Sequence, residues 1–461
     1  MPKINKKLFA WVLAFAVLTT AVFALGFAVY AESTGNVIDL GDDNPTPDSG
    51  NGWSFAKLGS YAGIYTVTGD VTITGSTGTE TDQYANIIKI APGANVKVTL
   101  DNVTIITAFY CAFDMDGSAT VELTIIGDNT LMSGSARAGI QVPQGSSLII
   151  NGGETDSLTV TGGDNSAGIG GGTASVSSGS SCGSITINGG AVTAYGGSYS
   201  AGIGGGYGKP GGNIAINGGT VNAFGGKYGA GIGGGIGQSG GIININGGTV
   251  KATGGDGGAG IGGGTSGEGG NITIEAGAKI AAVGGSASNY GGAGIGSGGI
   301  SSSASPPSGN ILIDPDAEVT ATGGIGTAYG NGANVGGGGH GYNGTHNYDG
   351  DMYPGYYTIT AAAGPNGTIA PSGNVIAVEG YNKNFIITPD SGYAVASVTV
   401  DGEVAGVNNS YRFINITEAH AIEAAFCEKP DEEKIPVSCF DRILRFLQML
   451  FDCILDFIKL F

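Results

Sequence analysis

Residues 185–213 read ITINGGAVTAYGGSYSAGIGGGYGKPGGN, and residues 214–242 read IAINGGTVNAFGGKYGAGIGGGIGQSGGI. Two strings recur together here. INGG starts at Ile150, Ile187, Ile216 and Ile245, and AGIGGG starts at Ala167, Ala201, Ala230 and Ala259. Degenerate copies follow at Ile274 and Ile313, and at Ala293 and Ala333. The central copies repeat every 29 residues. A shared period in two independent markers signals a repeat architecture whose units bury their apolar positions only by stacking. Within one period, runs such as Ile214-Ala215-Ile216 and Val221-Asn222-Ala223 alternate between glycine pairs. Period-two alternation bounded by glycine predicts short strands and tight turns, about three strands to a coil.

In register, the repeats form columns of branched residues: Leu148, Ile185, Ile214, Ile243, Ile272 and Ile311, then Ile150, Ile187, Ile216, Ile245, Ile274 and Ile313. Two more columns run Leu158, Val192, Val221, Val250, Ile280, Val319 and Ile169, Ile203, Ile232, Ile261, Ile295, Val335. Such columns predict a stacked interior with parallel strands about 4.8 Å apart. The turn column is Asn151, Asn188, Asn217, Asn246, Glu275, Asp314. Asparagine tolerates left-handed backbone and can bond along a stack. The column resembles the asparagine ladder of right-handed parallel β-helices of the pectate lyase type. The expected fold is therefore all-β: a right-handed, pectate-lyase-like solenoid with a small β domain and a C-terminal amphipathic helix.

Composition agrees with a folded solenoid. The 461 residues include 92 glycines and 15 prolines, yet 41% are hydrophobic and only 12% charged. The net charge of −19 disfavours nucleic-acid binding, since little would neutralise phosphate. Lys3, Lys6 and Lys7 before the apolar run Leu8–Val29 predict an export signal over 1–31, cleaved or kept as an anchor. The chain beyond it is expected outside the cytoplasm. Residues 32–52 are acidic and predict a flexible linker, with the coils running over 53–340 and a Tyr-rich loop over 341–356. A β domain is expected over 357–427, from alternating runs between turns such as Pro365-Asn366-Gly367. A charged linker follows over 428–436, then an amphipathic helix over 437–461, apolar enough to seek a membrane surface or a helix partner. The five cysteines are scattered and form no CxxC pair, so no zinc site is predicted.

The stretch AGIQVPQGSSLIINGG with the following LTVTGG and AGIGGG resembles glycine-rich β-helical surface proteins of Gram-positive gut and cellulolytic bacteria. ANIIKIAPGANVKVTLDNVTI upstream is similar to the same group. The resemblance spans roughly 61–340 and implies noncatalytic binding of polysaccharide or cell-wall glycan at a bacterial cell surface, as an adhesin or carbohydrate-binding protein, with calcium a candidate ligand. YTITAAAGPNGTIAPSG and NFIITPDSGYAVASVTVDG resemble the divergent internalin-type bacterial repeat.

The residues themselves nominate two sites. Tyr195 and Phe224 occupy equivalent outward positions on adjacent coils, as do Tyr199 and Tyr228. Rings stacked at coil spacing make a flat strip that can face sugar rings, or can serve as a structural ladder. Asp114 and Asp116 flank Met115, with Asp101 and Asp128 in neighbouring coils. Alternating aspartates place both carboxylates on one strand face, which suits calcium, or they are a solvated turn. The alternatives are a pectate-lyase-like enzyme and a purely structural stalk. Lyase chemistry needs a strong base and hydrolysis needs paired carboxylates. The central coils carry scattered charges, and no arginine lies between Arg137 and Arg412. His340, His346, Asp349 and Asp351 cluster in the Tyr-rich stretch as a further metal or sugar candidate.

Overall fold

A computed structural model of the protein describes residues 36–42, 48–58, 62–79, 85–172, 181–301, 306–339, 355–429 and 448. The chain divides into two compact units. One takes in Met1–Ile359 with Asn374–Lys383 and Ile414–Ala419; the other takes in Thr360–Gly373, Asn384–Phe413 and His420–Phe461.

The first unit is a stack of coils with three parallel sheets. In the first sheet Ser184–Ile187, Asn213–Ile216, Ile242–Ile245 and Asn271–Ile274 lie side by side. In the second, Ala191–Tyr195 is followed by Thr220–Phe224, Thr249–Thr253 and Lys279–Val283. In the third, two-residue strands such as Ile203–Gly204 pair with Ile232–Gly233 and Ile261–Gly262. The register matches the sequence columns: Ile185 faces Ile214, Val192 faces Val221 and Ile203 faces Ile232. These side chains point inward and are buried, whereas their neighbours Thr193, Ala215 and Asn222 point outward. Each buried branched side chain contributes about 1.5–3 kcal/mol, and every coil supplies its neighbour's partner surface.

The corner between the first and second sheets carries the asparagine column. Asn246 Nδ2 donates to Asn217 Oδ1 at 2.7 Å, Asn217 to Asn188 at 2.8 Å and Asn188 to Asn151 at 2.9 Å. Asn151 Nδ2 continues the chain to Glu122 Oε1 at 3.3 Å. The ladder lies largely exposed, so it fixes the turn register more than it fills the core. Third-sheet glycines are required by close approach. A Cβ on Gly233 would lie 2.0 Å from Gly262 O, at a φ of 132°.

Two expectations are corrected here. Val37–Asp39 is a strand in parallel register with Thr72–Thr74, and Ile38 and Leu40 are buried. The stretch 32–52 is therefore not simply a linker, because its alternating Ile38 and Leu40 cover the first coils. Second, Asn374–Lys383 belongs with the coils and not with the β domain expected over 357–427. Val375 pairs antiparallel with Thr320 of the last second-sheet strand. Lys383 Nζ donates to Ala317 O at 2.7 Å and to Pro315 O at 3.3 Å, and burial lowers its pKa. Ile313 N–H donates to the Tyr356 hydroxyl at 2.8 Å. These groups satisfy backbone atoms that the last coil would otherwise leave open.

The second unit is a separate β structure. Gly367–Ala370 runs antiparallel to Ile386–Pro389, and Tyr393–Val400 pairs with Glu403–Gly406 and with Ile422–Glu428. Phe385, Ile387, Phe413 and Ile422 are buried, with Phe385 and Phe413 edge-on at 5.8 Å. Asp401 closes one turn. Its Oδ1 accepts from Ala421 N–H at 2.8 Å and its Oδ2 lies 2.8 Å from His420 Nδ1. The signal segment expected over 1–31 and most of the loop expected over 341–356 fall outside the described residues, with His340, His346, Asp349 and Asp351. The helix expected over 437–461 also lies outside them apart from the single residue Gln448. The described residues contain no helical element that supports it.

Candidate functional site

The four aromatic residues nominated by the sequence fall into two stacked pairs. Tyr195 and Phe224 end adjacent second-sheet strands and face each other in register. Their ring centroids are 5.0 Å apart and their planes differ by 10°. Thr161 and Thr253 flank the pair in the same column, so it stands between small side chains. Gly202 lies against the backbone of Phe224, as Gly231 does against that of Thr253. Tyr195 is 42% exposed.

Tyr199 and Tyr228 sit at the following corner, between the second and third sheets. Their centroids are 5.4 Å apart with planes at 29°. Both residues are left-handed, with φ of 67° and 73°. The matching positions in neighbouring coils are Ala136, Asn165 and Gly257, with φ of 64°, 65° and 71°. The turn thus takes this conformation in five successive coils, and two of them meet it with tyrosine, which is an uncommon choice there.

Two neighbours were not found from the sequence. Tyr207 lies edge-on to Tyr199 at 5.5 Å and is 49% exposed. It follows the GIGGG string, where the next coil has Ile236, so no aromatic column announced it. Lys227 Nζ lies 5.1 Å from the centre of the Tyr228 ring, a cation–π contact. Its pKa is raised, first through its pairing with Tyr228, with Asp256 adding to the effect. The arrangement is a set of rings, exposed at Tyr195 and Tyr207 and half-buried at Tyr199, Phe224 and Tyr228, with phenol hydroxyls and one ammonium that can bond to hydroxyls.

Three consecutive segments, 185–207, 214–236 and 243–265, match the family model described as Beta helix repeat. With the three parallel sheets already in view, this decides the fold. The chain is a parallel β-helix protein. No curated protein and no solved structure matched the chain.

Elsewhere on this β-helix, the aspartates do not converge. Asp114 is half-buried on the third-sheet strand Phe113–Met115, and burial raises its pKa while Lys89 and Arg137 oppose that. Asp116 pairs with Lys89 Nζ at 3.1 Å. Asp101 belongs to a first-sheet strand and Asp128 to a second-sheet strand, on different faces of the coil from Asp114. Asp128 Oδ1 accepts from the Ser157 hydroxyl at 2.7 Å. Among the described residues no group of three or more His, Cys, Asp or Glu side chains could hold a metal ion. Cys111 and Cys182 are buried thiols whose pKa burial raises, to about 12 for Cys182, while Cys427 is exposed.

Proposed function

We propose that this β-helix is a noncatalytic, extracellular glycan-binding protein of a bacterial cell surface, holding polysaccharide through its outward aromatic residues. The observation that carries the reading is the near-parallel stack of Tyr195 and Phe224, a ridge of apolar ring on an otherwise polar face. The second pair, Tyr199 and Tyr228, supports it by holding rings at backbone positions where a smaller residue is easier to place. The outward residues beside the rings, Thr193, Asn222 and Thr253, are neutral hydrogen-bonding groups that suit hydroxyl-rich ligands. The export signal expected over 1–31 and the resemblance to Gram-positive surface proteins support that location. The second unit serves, on its internalin-type resemblance, as a spacer or adhesive module.

The test is a pull-down panel of insoluble plant and cell-wall polysaccharides with calcium or chelator present. Wild-type protein is expected to bind at least one polysaccharide saturably. The variant with Tyr195, Tyr199, Phe224 and Tyr228 all changed to alanine is expected to lose that binding while keeping its β-sheet circular dichroism. Equal binding by the two proteins would remove the rings from the site.

A further inference from the structure

The corner that carries the asparagine ladder follows each rung with glycine: Asn188-Gly189, Asn217-Gly218 and Asn246-Gly247. The fold imposes both halves of the pair. Asn188 and Asn217 each donate to one neighbouring rung and accept from the other, a double role that a carboxylate cannot fill. The glycine is required by close approach. A Cβ on Gly189 would lie 2.5 Å from Gly152 O, one on Gly218 2.7 Å from Asn188 O, and one on Gly247 2.9 Å from Asn217 O. Asn-Gly is among the dipeptides most prone to lose a side-chain amide, because no side chain on the second residue shields its nitrogen.

The corner leaves that nitrogen available. Asn188, Asn217 and Asn246 N–H donate to Ile150, Ile187 and Ile216 O of the preceding coil, so the backbone is held as far as the rung. Among the described residues, the N–H groups of Gly189, Gly218 and Gly247 meet no hydrogen-bond acceptor. All three asparagines are exposed, and a groove lined in part by Gly153, Glu154, Asn188 and Gly189 admits water to the first. At Asn188 and Asn217 the next rung's amide N–H also points at the side-chain carbonyl oxygen, where it stabilises negative charge that forms there. The pair Asn331-Gly332 has the opposite arrangement. Gly332 is buried and its N–H donates to Gly324 O at 2.9 Å, while Asn331 Oδ1 accepts from Gly326 N–H at 3.0 Å.

We propose that Asn188, Asn217 and Asn246 are sites of spontaneous deamidation, so that the ladder turns from amide to acid as the protein ages. The glycine nitrogen gives up its proton and attacks the asparagine Cγ, forming the N–Cγ bond of a succinimide. The Cγ–Nδ2 bond breaks, and Nδ2 leaves as ammonia with that proton. Water then opens the ring. Cleavage of the N–Cγ bond leaves aspartate, and cleavage between the same nitrogen and the asparagine main-chain carbonyl leaves isoaspartate. Water is the only co-reactant, and nothing is oxidised or reduced. The two products act differently on the corner. Glu275 and Asp314 stand on later rungs with their N–H groups bonded to Ile245 and Ile274 O as Asn246 is to Ile216 O, so this backbone accepts an acid. Aspartate at 217 therefore loses only the bond to Asn188. Isoaspartate adds a methylene to the main chain and shifts the following strand against its parallel register.

The experiment is incubation of the full chain at neutral and mildly alkaline pH, followed by mass-spectrometric peptide mapping, beside a sample held in guanidinium. In the folded protein, acid at 188, 217 and 246 is expected to form at least about three- to tenfold faster than at 331, the effect of one hydrogen bond that must open before Gly332 can react. All rates should rise with pH, because the nucleophile is the deprotonated nitrogen, and ammonia release should match the acid formed. In guanidinium the four sites should converge. Asn217→Gln should stop conversion at 217 and leave 188 and 246 converting. Conversion at the rungs no faster than at 331 overturns the proposal. So do rungs that stay amide in the folded protein while converting in guanidinium, since the ladder would then protect them. Neither outcome bears on glycan binding.

Discussion

Tyr228 joins two opposing effects in one residue. Its left-handed backbone costs about 1–2 kcal/mol relative to glycine, and its ring stack on Tyr199 returns about 0.5–1.5 kcal/mol. The two nearly cancel, so Tyr228→Gly should shift Tm by no more than a few degrees. The same change removes half of a ring pair and should abolish saturable glycan binding. Thermal unfolding beside a pull-down measures both. A large fall in Tm with binding intact would assign the ring to stability and not to a ligand. The aromatic columns were legible in the sequence because Tyr195 and Phe224, and Tyr199 and Tyr228, share the coil period. Tyr207 was not, because it occupies a variable loop position.

At the scale of the element, glycine does two different jobs in one coil. Gly233 faces the carbonyl of Gly262 so closely that a methyl group would lie 2.0 Å from it. Gly233→Ala combines overpacking with a disallowed backbone and should cost roughly 2–4 kcal/mol, seen as a clear fall in Tm. Gly237, at a φ of 71°, has no atom within 4 Å of a built Cβ, and the next coil places Ser266 there at 64°. Gly237→Ala should therefore cost only about 1 kcal/mol. Similar losses in the two variants would show that conformation and not packing sets the glycine pattern.

In the second unit, the turn at Asp401 makes a pH prediction. Its carboxylate is held below the usual range, first by the Ala421 N–H and then by His420. A lowered folded pKa contributes stability that is present above the unfolded value of 3.8 and is lost as pH falls through the folded value. The transition of this unit should weaken below about pH 4, and Asp401→Asn should flatten that slope. An unchanged pH profile in the variant would mean that other carboxylates set it. Neither this turn nor the strand at Val37–Asp39 could be read by repetition, since each occurs once. What the sequence announced was what it said several times: inward columns, turn asparagines and third-sheet glycines.

For the molecule as a whole, the coil is a unit that can be removed without breaking register, because stacked repeats contact mainly their neighbours. Deleting residues 214–242 removes one 29-residue period and joins Asn213 to Ile243, the residue that matches Ile214. The inward columns close up with isoleucine on isoleucine, so the shortened chain should fold, with a modest fall in Tm and undiminished β-sheet circular dichroism per residue. The same deletion takes away Phe224 and Tyr228 and brings Tyr195 opposite Thr253. Glycan binding should be lost although the fold survives. Deleting 243–271 joins Ile242 to Ile272 with the same structural consequence but leaves both ring pairs in place. That protein should still bind. Unfolding of both shortened chains would show that the coils are not interchangeable. Wild-type binding by the 214–242 deletion would show that the rings are not where the ligand sits. Comparing the pair separates what the repeat does for the fold from what two of its coils add to it.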